Sequence, residues 1–139
     1  MTLRILVTGS RDWRDPEPIR AALLDALGTY TTIGTPVLVH GGQVSRDEVT
    51  GERYGADHLA EQAWMGIAEH VPGGLSVEVH RADWRTHGRA AGPIRNAQMV
   101  AAGATVCLAF PLGESRGTRG CMQLAERAGI PVRDLGGAS

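Results

Sequence analysis

The feature that most constrains the fold is a regular alternation of short aliphatic segments with longer stretches of helical periodicity. The aliphatic segments are residues 4–8 (RILVT), 36–40 (PVLVH), 76–80 (SVEVH) and 105–110 (TVCLAF). Each is rich in β-branched or aliphatic residues and is bounded by glycine or proline, a pattern that predicts a strand. Strands that alternate with helices are joined by right-handed crossovers, so we expect a parallel sheet with helices on both faces.

Apolar spacing and residues typical of helix ends predict four helices. Apolar residues with helical spacing lie between positions 19 and 27 in the first helix and between 56 and 67 in the second, and the third and fourth are expected over about 93–102 and 118–128. Pro93 suits the first turn of the third helix, and Thr118 is a suitable N-cap for the fourth. A short fifth strand is predicted to begin at Ile130.

Together these elements predict an α/β fold, a Rossmann-like, doubly wound parallel sheet of five strands. Residues 4–8 and 105–110 contain continuous apolar runs, as buried central strands do, whereas residues 76–80 alternate as an edge strand can. The predicted strand order is therefore 3-2-1-4-5, and ligands are expected at the switch point between strands 1 and 4. The length of 139 residues suits one domain, residues 1–139.

One segment interrupts the alternation of strands and helices. Residues 43–54 (QVSRDEVTGERY) are rich in charge and have almost no apolar periodicity. The segment is also long for a connection between a strand and a helix. We predict an exposed, flexible insertion, with a lid over the ligand as the functional alternative.

Composition excludes several functional classes. The chain has fourteen Arg, no Lys, fifteen acidic residues and a formal net charge of −1, so no general basic field favours nucleic acid or an anionic membrane. Without Lys there is no Walker-type phosphate loop, and a GxGxxG turn after the first strand is also missing. Cys107 and Cys121 lack metal-site spacing and are predicted to be buried thiols. We expect a cytosolic protein, because the chain shows neither a long apolar run nor a secretory signal. No metal or cofactor is expected.

Three glycine-containing turns are predicted at one edge of the sheet, after strands 1, 2 and 4. A single glycine after a strand is commonly no more than a turn, but three at one edge, one of them opening a helix, favour a phosphate-bearing ligand. The residues predicted to surround the phosphate are Gly9, Ser10, Gly41, Gly42, Gly117 and Thr118. Arg11, in the first of these turns, would supply positive charge.

The segment after the third strand adds further candidates. Arg95 and Asn96 fall in the first turn of the third helix, close to the predicted ligand edge. Arg95 is predicted to bind phosphate, and Trp84 or His40 to contact the base or sugar. The structural alternatives are a surface ion pair for Arg95 and simple loop packing for Trp84.

Six motifs together resemble the YspA/cpYpsA-related branch of the SLOG superfamily of Rossmann-like domains. The motifs are GSRDW at residues 9–13, HGG at 40–42, GAD at 55–57, ADW at 82–84, AGPIRN at 91–96 and RGT at 116–118. The resemblance spans nearly the whole chain and implies a nucleotide or nucleotide-derived ligand, such as a nucleoside monophosphate or an ADP-ribose-like molecule. It also adds Asp57 of the GAD motif to the candidate ligand-binding residues. The insertion between HGG and GAD departs from the short link usual in this family.

The superfamily also includes the LOG enzymes, and this relation implies an enzymatic alternative. LOG enzymes cleave the N-glycosidic bond of nucleoside monophosphates with an Arg and a Glu. Arg95 and Met99 match the spacing around that Arg, but Gly120 stands where the Glu is expected. A nucleoside 5′-monophosphate phosphoribohydrolase would therefore use Arg95 as the catalytic clamp, with Glu114 or Asp57 as a relocated acid.

The predicted partner is a small-molecule nucleotide, held by a sensor or binding domain. Single-stranded DNA binding, as in the related protein DprA, is a third alternative. The absence of Lys and the small number of aromatic residues, six in all, disfavour it. No membrane partner is expected, and the sequence leaves a homo-oligomer open.

Overall fold

The computed structural model describes residues 1–136 and contains a five-stranded, all-parallel sheet with helices on both faces. In chain order the elements are β1 (Arg4–Gly9), α1 (Pro16–Thr29), β2 (Val37–His40), β3 (Ser45–Arg46), β4 (Arg53–Tyr54), α2 (Ala56–Ala68), β5 (Ser76–Val79), α3 (Trp84–His87), α4 (Ala91–Ala102), β6 (Val106–Phe110), α5 (Arg116–Arg127) and β7 (Val132–Asp134). A 3₁₀ turn at Gly88–Ala90 joins α3 to α4. The predicted Rossmann-like, doubly wound fold is confirmed.

The sheet has the order β5-β2-β1-β6-β7. This order differs from the predicted numbering because β3 and β4 pair only with each other, in a separate antiparallel hairpin. When the five sheet strands are counted among themselves, their order is 3-2-1-4-5. β1 and β6 are neighbours, and the chain leaves them toward opposite sides of the sheet, which forms the switch point.

The two faces of the sheet carry separate apolar clusters because successive residues of a strand point to opposite faces. Ile5 and Val7 of β1 pack with α1 and α2, including the fully buried Trp64. Leu6, between them in sequence, packs on the other face with α4 and α5. Each face therefore has its own helix pair, as the doubly wound arrangement requires.

Cys107 and Cys121 are buried, as predicted, and both are free thiols. They lie together in the apolar cluster beneath α4 and α5. Burial raises the pKa of both thiols, because the thiolate loses its hydration in an apolar setting. They are therefore part of the core.

Two predicted helix starts were placed too late in the chain. The third helix begins at Ala91, directly after the 3₁₀ turn, so Pro93 is its third residue. Proline is tolerated there because the first amides of a helix have no partner within the helix. The fourth begins at Arg116, and its N-cap is Ser115 in the left-handed conformation (φ 43°) instead of Thr118.

Residues 43–54 contain the hairpin of β3 and β4, which the sequence pattern did not predict. The hairpin lies beside the loop that follows β1: the Ser45 hydroxyl donates to the Arg11 carbonyl (2.8 Å). The Arg14 guanidinium lies 3.7 Å from the centroid of the Tyr54 ring. The flexibility of this segment stays a prediction. None of the helices within residues 1–136 is long and apolar enough to span a membrane.

Candidate functional site

A cavity of about 490 Å³ opens at the carboxyl ends of β1 and β6, where the doubly wound topology predicts a ligand. Its walls come from the turn after β1, the turn after β2, α3 and the first turns of α2, α4 and α5. The predicted site residues that line it are Gly9, Ser10, Arg11, Gly41, Asp57, Trp84, Arg95, Asn96, Gly117 and Thr118. Gly9 and Thr118, 109 positions apart in sequence, thus meet around one space, because parallel strands end at the same edge.

Three predicted site residues lie outside the cavity lining: His40, Gly42 and Glu114. His40 is buried, with Nε2 2.9 Å from Glu61 Oε1, and its Nδ1 accepts the Gly42 amide at 2.9 Å. His40 therefore stabilises the turn after β2 through a hydrogen bond from a buried position. The Glu114 side chain is 86% exposed and 3.8 Å from Arg116, so its carboxylate faces water.

Gly9, at the end of β1, and Gly41, directly after β2, allow other parts of the chain to pack closely against the backbone. A Cβ on Gly9 would overlap the side chain of Ala56 in α2, and one on Gly41 would overlap the Arg95 guanidinium. The Ser10 amide donates to the Phe110 carbonyl (2.9 Å), and the Ser10 carbonyl accepts from the Ala56 amide (3.0 Å). The close approach predicted at Gly9 and Gly41 is thus an approach between parts of the chain, which fixes the cavity wall.

Arg95 is the most constrained cation of the site. Only 8% of the residue is exposed. Its Nε donates to Asn96 Oδ1 (2.8 Å), and Nη1 donates to the Gly41 carbonyl (2.7 Å). Burial lowers the pKa of Arg95, but a guanidinium stays charged in proteins. Within residues 1–136, Nη2 makes no hydrogen bond, so one edge of this buried fork is left for a group in the cavity.

The first turn of α5 faces the cavity with open amides. Ser115 makes no side-chain cap, and the first amide to bond within the helix is that of Arg119, which donates to the Ser115 carbonyl at 2.9 Å. The amides of Arg116, Gly117 and Thr118 precede that bond and have no partner in the described part of the chain. Free amides at a helix start form an anion-binding site.

Asn96 connects Arg95 to the start of α5. Its Oδ1 accepts from Arg95, and its Nδ2 donates to the Gly117 carbonyl at 3.2 Å. Asn96 is itself 5% exposed. The amide side chain therefore holds the guanidinium and the α5 turn in a fixed relation, since both of its ends are bonded.

Asp57 supplies a buried carboxyl group to the cavity lining. It stands in the first turn of α2, is 6% exposed, and accepts the Gln43 amide at 3.1 Å. Burial raises the pKa of Asp57, although Arg95 and His40 act in the other direction. Asp57 and Arg95 both line the cavity, so a ligand there can meet an acceptor as well as donors.

Trp84 and Arg11 stand at the cavity opening. Trp84 begins α3, a single turn capped by Asp83, whose carboxylate accepts the Thr86 amide at 3.1 Å. The residue is 46% exposed, and the Arg11 guanidinium lies 5.5 Å from the centroid of its ring. Both side chains line the cavity.

Several lining residues were missed by sequence reasoning. Gln43 directly follows the HGG motif, and Met99 lies one helical turn after Arg95, so position alone could have found both. Ser115 gave no signal, since its role depends on a left-handed backbone. Within residues 1–136, no three His, Cys, Asp or Glu side chains are grouped as a metal site requires.

Sequence comparison finds one clear relationship. Over 135 residues, 96% of each chain, the sequence is 46% identical to the Gene 61 protein of Mycobacterium phage D29. The chain belongs to the family of this phage protein. No protein-family model matches the chain, and no solved structure matches it. The name of the phage protein states no activity.

Proposed function

We propose that this member of the Gene 61 family is a cytosolic binding domain or sensor for a nucleotide or nucleotide-derived ligand. The observation that carries the proposal is that buried Arg95, whose Nη2 makes no hydrogen bond within residues 1–136, lines the same cavity as the open amides of α5. The resemblance of the sequence motifs to the SLOG superfamily supports the same class of ligand.

The phosphate would lie between Arg95 and the start of α5. A guanidinium fork and free helix amides are the donors that phosphate oxygens prefer. Arg95 is already held by Asn96 and Gly41, so little side-chain entropy is lost when it binds. Such preorganisation favours a tightly held phosphate group.

The rest of the cavity favours a ligand larger than free phosphate. Small-molecule sites commonly measure about 300–1,000 Å³, and the volume of about 490 Å³ lies within that range. The buried carboxyl group of Asp57, which also lines the cavity, can accept a hydrogen bond from a sugar hydroxyl. A phosphorylated sugar, as in a nucleotide, has a phosphate for Arg95 and α5 and hydroxyl groups for Asp57.

Calorimetric titration tests the proposal. AMP, GMP, CMP and UMP are titrated into the protein, and adenosine serves as the ligand without phosphate. At least one monophosphate should bind more tightly than adenosine, because Arg95 and α5 contact only the phosphate. Arg95→Gln should weaken that binding by about tenfold or more, as expected for loss of a charge-assisted contact.

Arg127→Gln is the matched control. Arg127 lies at the other end of α5, is exposed and does not line the cavity. The Arg127→Gln substitution removes the same charge from the protein as Arg95→Gln, so any general electrostatic effect on binding appears in both variants. Equal affinities in the two variants, with Arg95→Gln folded by thermal melting, would refute the proposed site.

A further inference from the structure

Trp84 differs from the other tryptophans of the chain. Trp13 is 7% exposed and Trp64 is 1% exposed, and both belong to the core. Trp84 is 46% exposed and lines the ligand cavity. A ligand that covers this exposed ring would bury a large apolar surface, which favours binding.

The position of the ring is supported by its neighbours. The Asp83 cap fixes the short turn that carries Trp84. The far end of the ring lies over Gly92 of α4, where an added Cβ would come within 3.6 Å of it. One part of the ring is therefore held by the protein while much of its surface stays open.

Arg11 faces that open ring from a distance. Its guanidinium carbon is 5.5 Å from the Trp84 centroid, whereas Arg14 lies 3.7 Å from the Tyr54 centroid, which is direct contact. Within residues 1–136 the Arg11 side chain makes no hydrogen bond that would hold it there. The two groups therefore leave a gap that is wider than a stacked pair requires.

A flat ring between them would need about 7 Å, which is two van der Waals contacts of about 3.5 Å each. Arg11 would have to move outward by about 1.5 Å to make that room. Arg11 is exposed, so a small rotamer adjustment costs little. Trp84 below and Arg11 above would then both stack on the inserted ring.

We infer that Trp84 and Arg11 form a slot for the aromatic base of the ligand, and that Trp84 determines specificity for ligands with a planar ring. The inference rests on the proposed function, since it concerns the same cavity. Stacking strength follows ring size, so purine nucleotides should bind more tightly than pyrimidine nucleotides. Sugar phosphates without a base should bind most weakly.

The test compares AMP with ribose 5-phosphate, which has the same sugar and phosphate but no base. Wild-type protein should bind AMP about ten to a hundred times more tightly, as stacking of one base on an aromatic side chain predicts. Trp84→Ala should reduce AMP affinity to that of ribose 5-phosphate and leave the latter unchanged. Trp84→Phe should restore most of the difference, because a ring is again present.

The outcomes separate the slot from the phosphate site. Equal affinities of AMP and ribose 5-phosphate for wild type, or equal losses of both in Trp84→Ala, would overturn the slot and leave the phosphate site standing. Binding of adenosine that Trp84→Ala abolishes, with no binding of ribose 5-phosphate, would support the slot and overturn the phosphate site. Failure of all three compounds to bind would overturn both.

Discussion

Replacing Gly117 by Ala should move stability and ligand binding in opposite directions. Apart from its chain neighbours and the backbone of α5, a Cβ on Gly117 would meet no atom of residues 1–136 within 4 Å, so the methyl group fits the unliganded fold. Alanine within a helix is more stable than glycine by about 0.5–1 kcal/mol, because glycine loses more backbone entropy on folding. For a chain of this length that corresponds to a melting temperature higher by roughly 2 to 4 °C.

Binding should weaken in the same variant. Gly117 lines the cavity at the open amides of α5, and the methyl group narrows the space in which the phosphate would lie. Loss of one charge-assisted hydrogen bond is worth about 1.5–3 kcal/mol, so we expect AMP affinity to fall about tenfold to hundredfold.

Gly120→Ala is the control. Gly120 lies one turn later in α5 and does not line the cavity, and an added Cβ there also has open space among the described residues outside α5. It should gain similar stability without any loss of affinity. Thermal melting and calorimetry with AMP measure both quantities, and equal AMP affinity in the two variants would refute the assignment of the phosphate to α5.

Three further predictions concern Asp57, Gly41 and Glu114. Asp57→Asn should stabilise the protein increasingly as pH rises above about 4; burial raises the pKa of Asp57, so the folded chain keeps a proton that the unfolded chain has lost. A difference in melting temperature that does not vary with pH would contradict this. Gly41→Ala should destabilise the fold by about 1–3 kcal/mol and weaken AMP binding, because the new Cβ displaces the Arg95 guanidinium. Denaturant unfolding measures the loss of stability. Gly66→Ala on α2, where an added Cβ has open space among the described residues, is the control. Chromatography of overnight incubations with AMP should show very slow release of adenine or none, since Gly120 stands where the Glu of LOG enzymes is expected and Glu114 faces water. Release that Glu114→Gln abolishes would contradict the placement of Glu114 outside the site, and release that Asp57→Asn abolishes would make Asp57 the relocated acid.

Much of the fold could be predicted from the sequence because its signals are local and agree with one another. The continuous apolar run of β6 and the alternation in β5 indicated a central and an edge strand, and both positions are as predicted. Parallel strands end at one edge, so the turns after β1 and β2 and the start of α5 had to meet there. This geometry brought Arg95 and Thr118 into one cavity.

The details that failed depend on tertiary contacts. His40 ends β2, and the sequence could not tell whether its ring would point into the cavity or toward Glu61. Thr118 has the residue type of an N-cap, but the left-handed Ser115 starts α5 earlier. Gly9 and Gly41 line the cavity, but the sequence did not show that the space beside them is filled by Ala56 and Arg95.

The central claim is that a nucleotide phosphate binds at the start of α5 beside Arg95. Two-dimensional ¹⁵N–¹H NMR spectra recorded during titration with AMP test it most directly, because each backbone amide reports its own surroundings. We predict saturable shifts for the amides of Arg116, Gly117 and Thr118, which have no hydrogen-bond partner among residues 1–136. Unchanged spectra at millimolar AMP, or shifts confined to the edge strand β5, would contradict the claim.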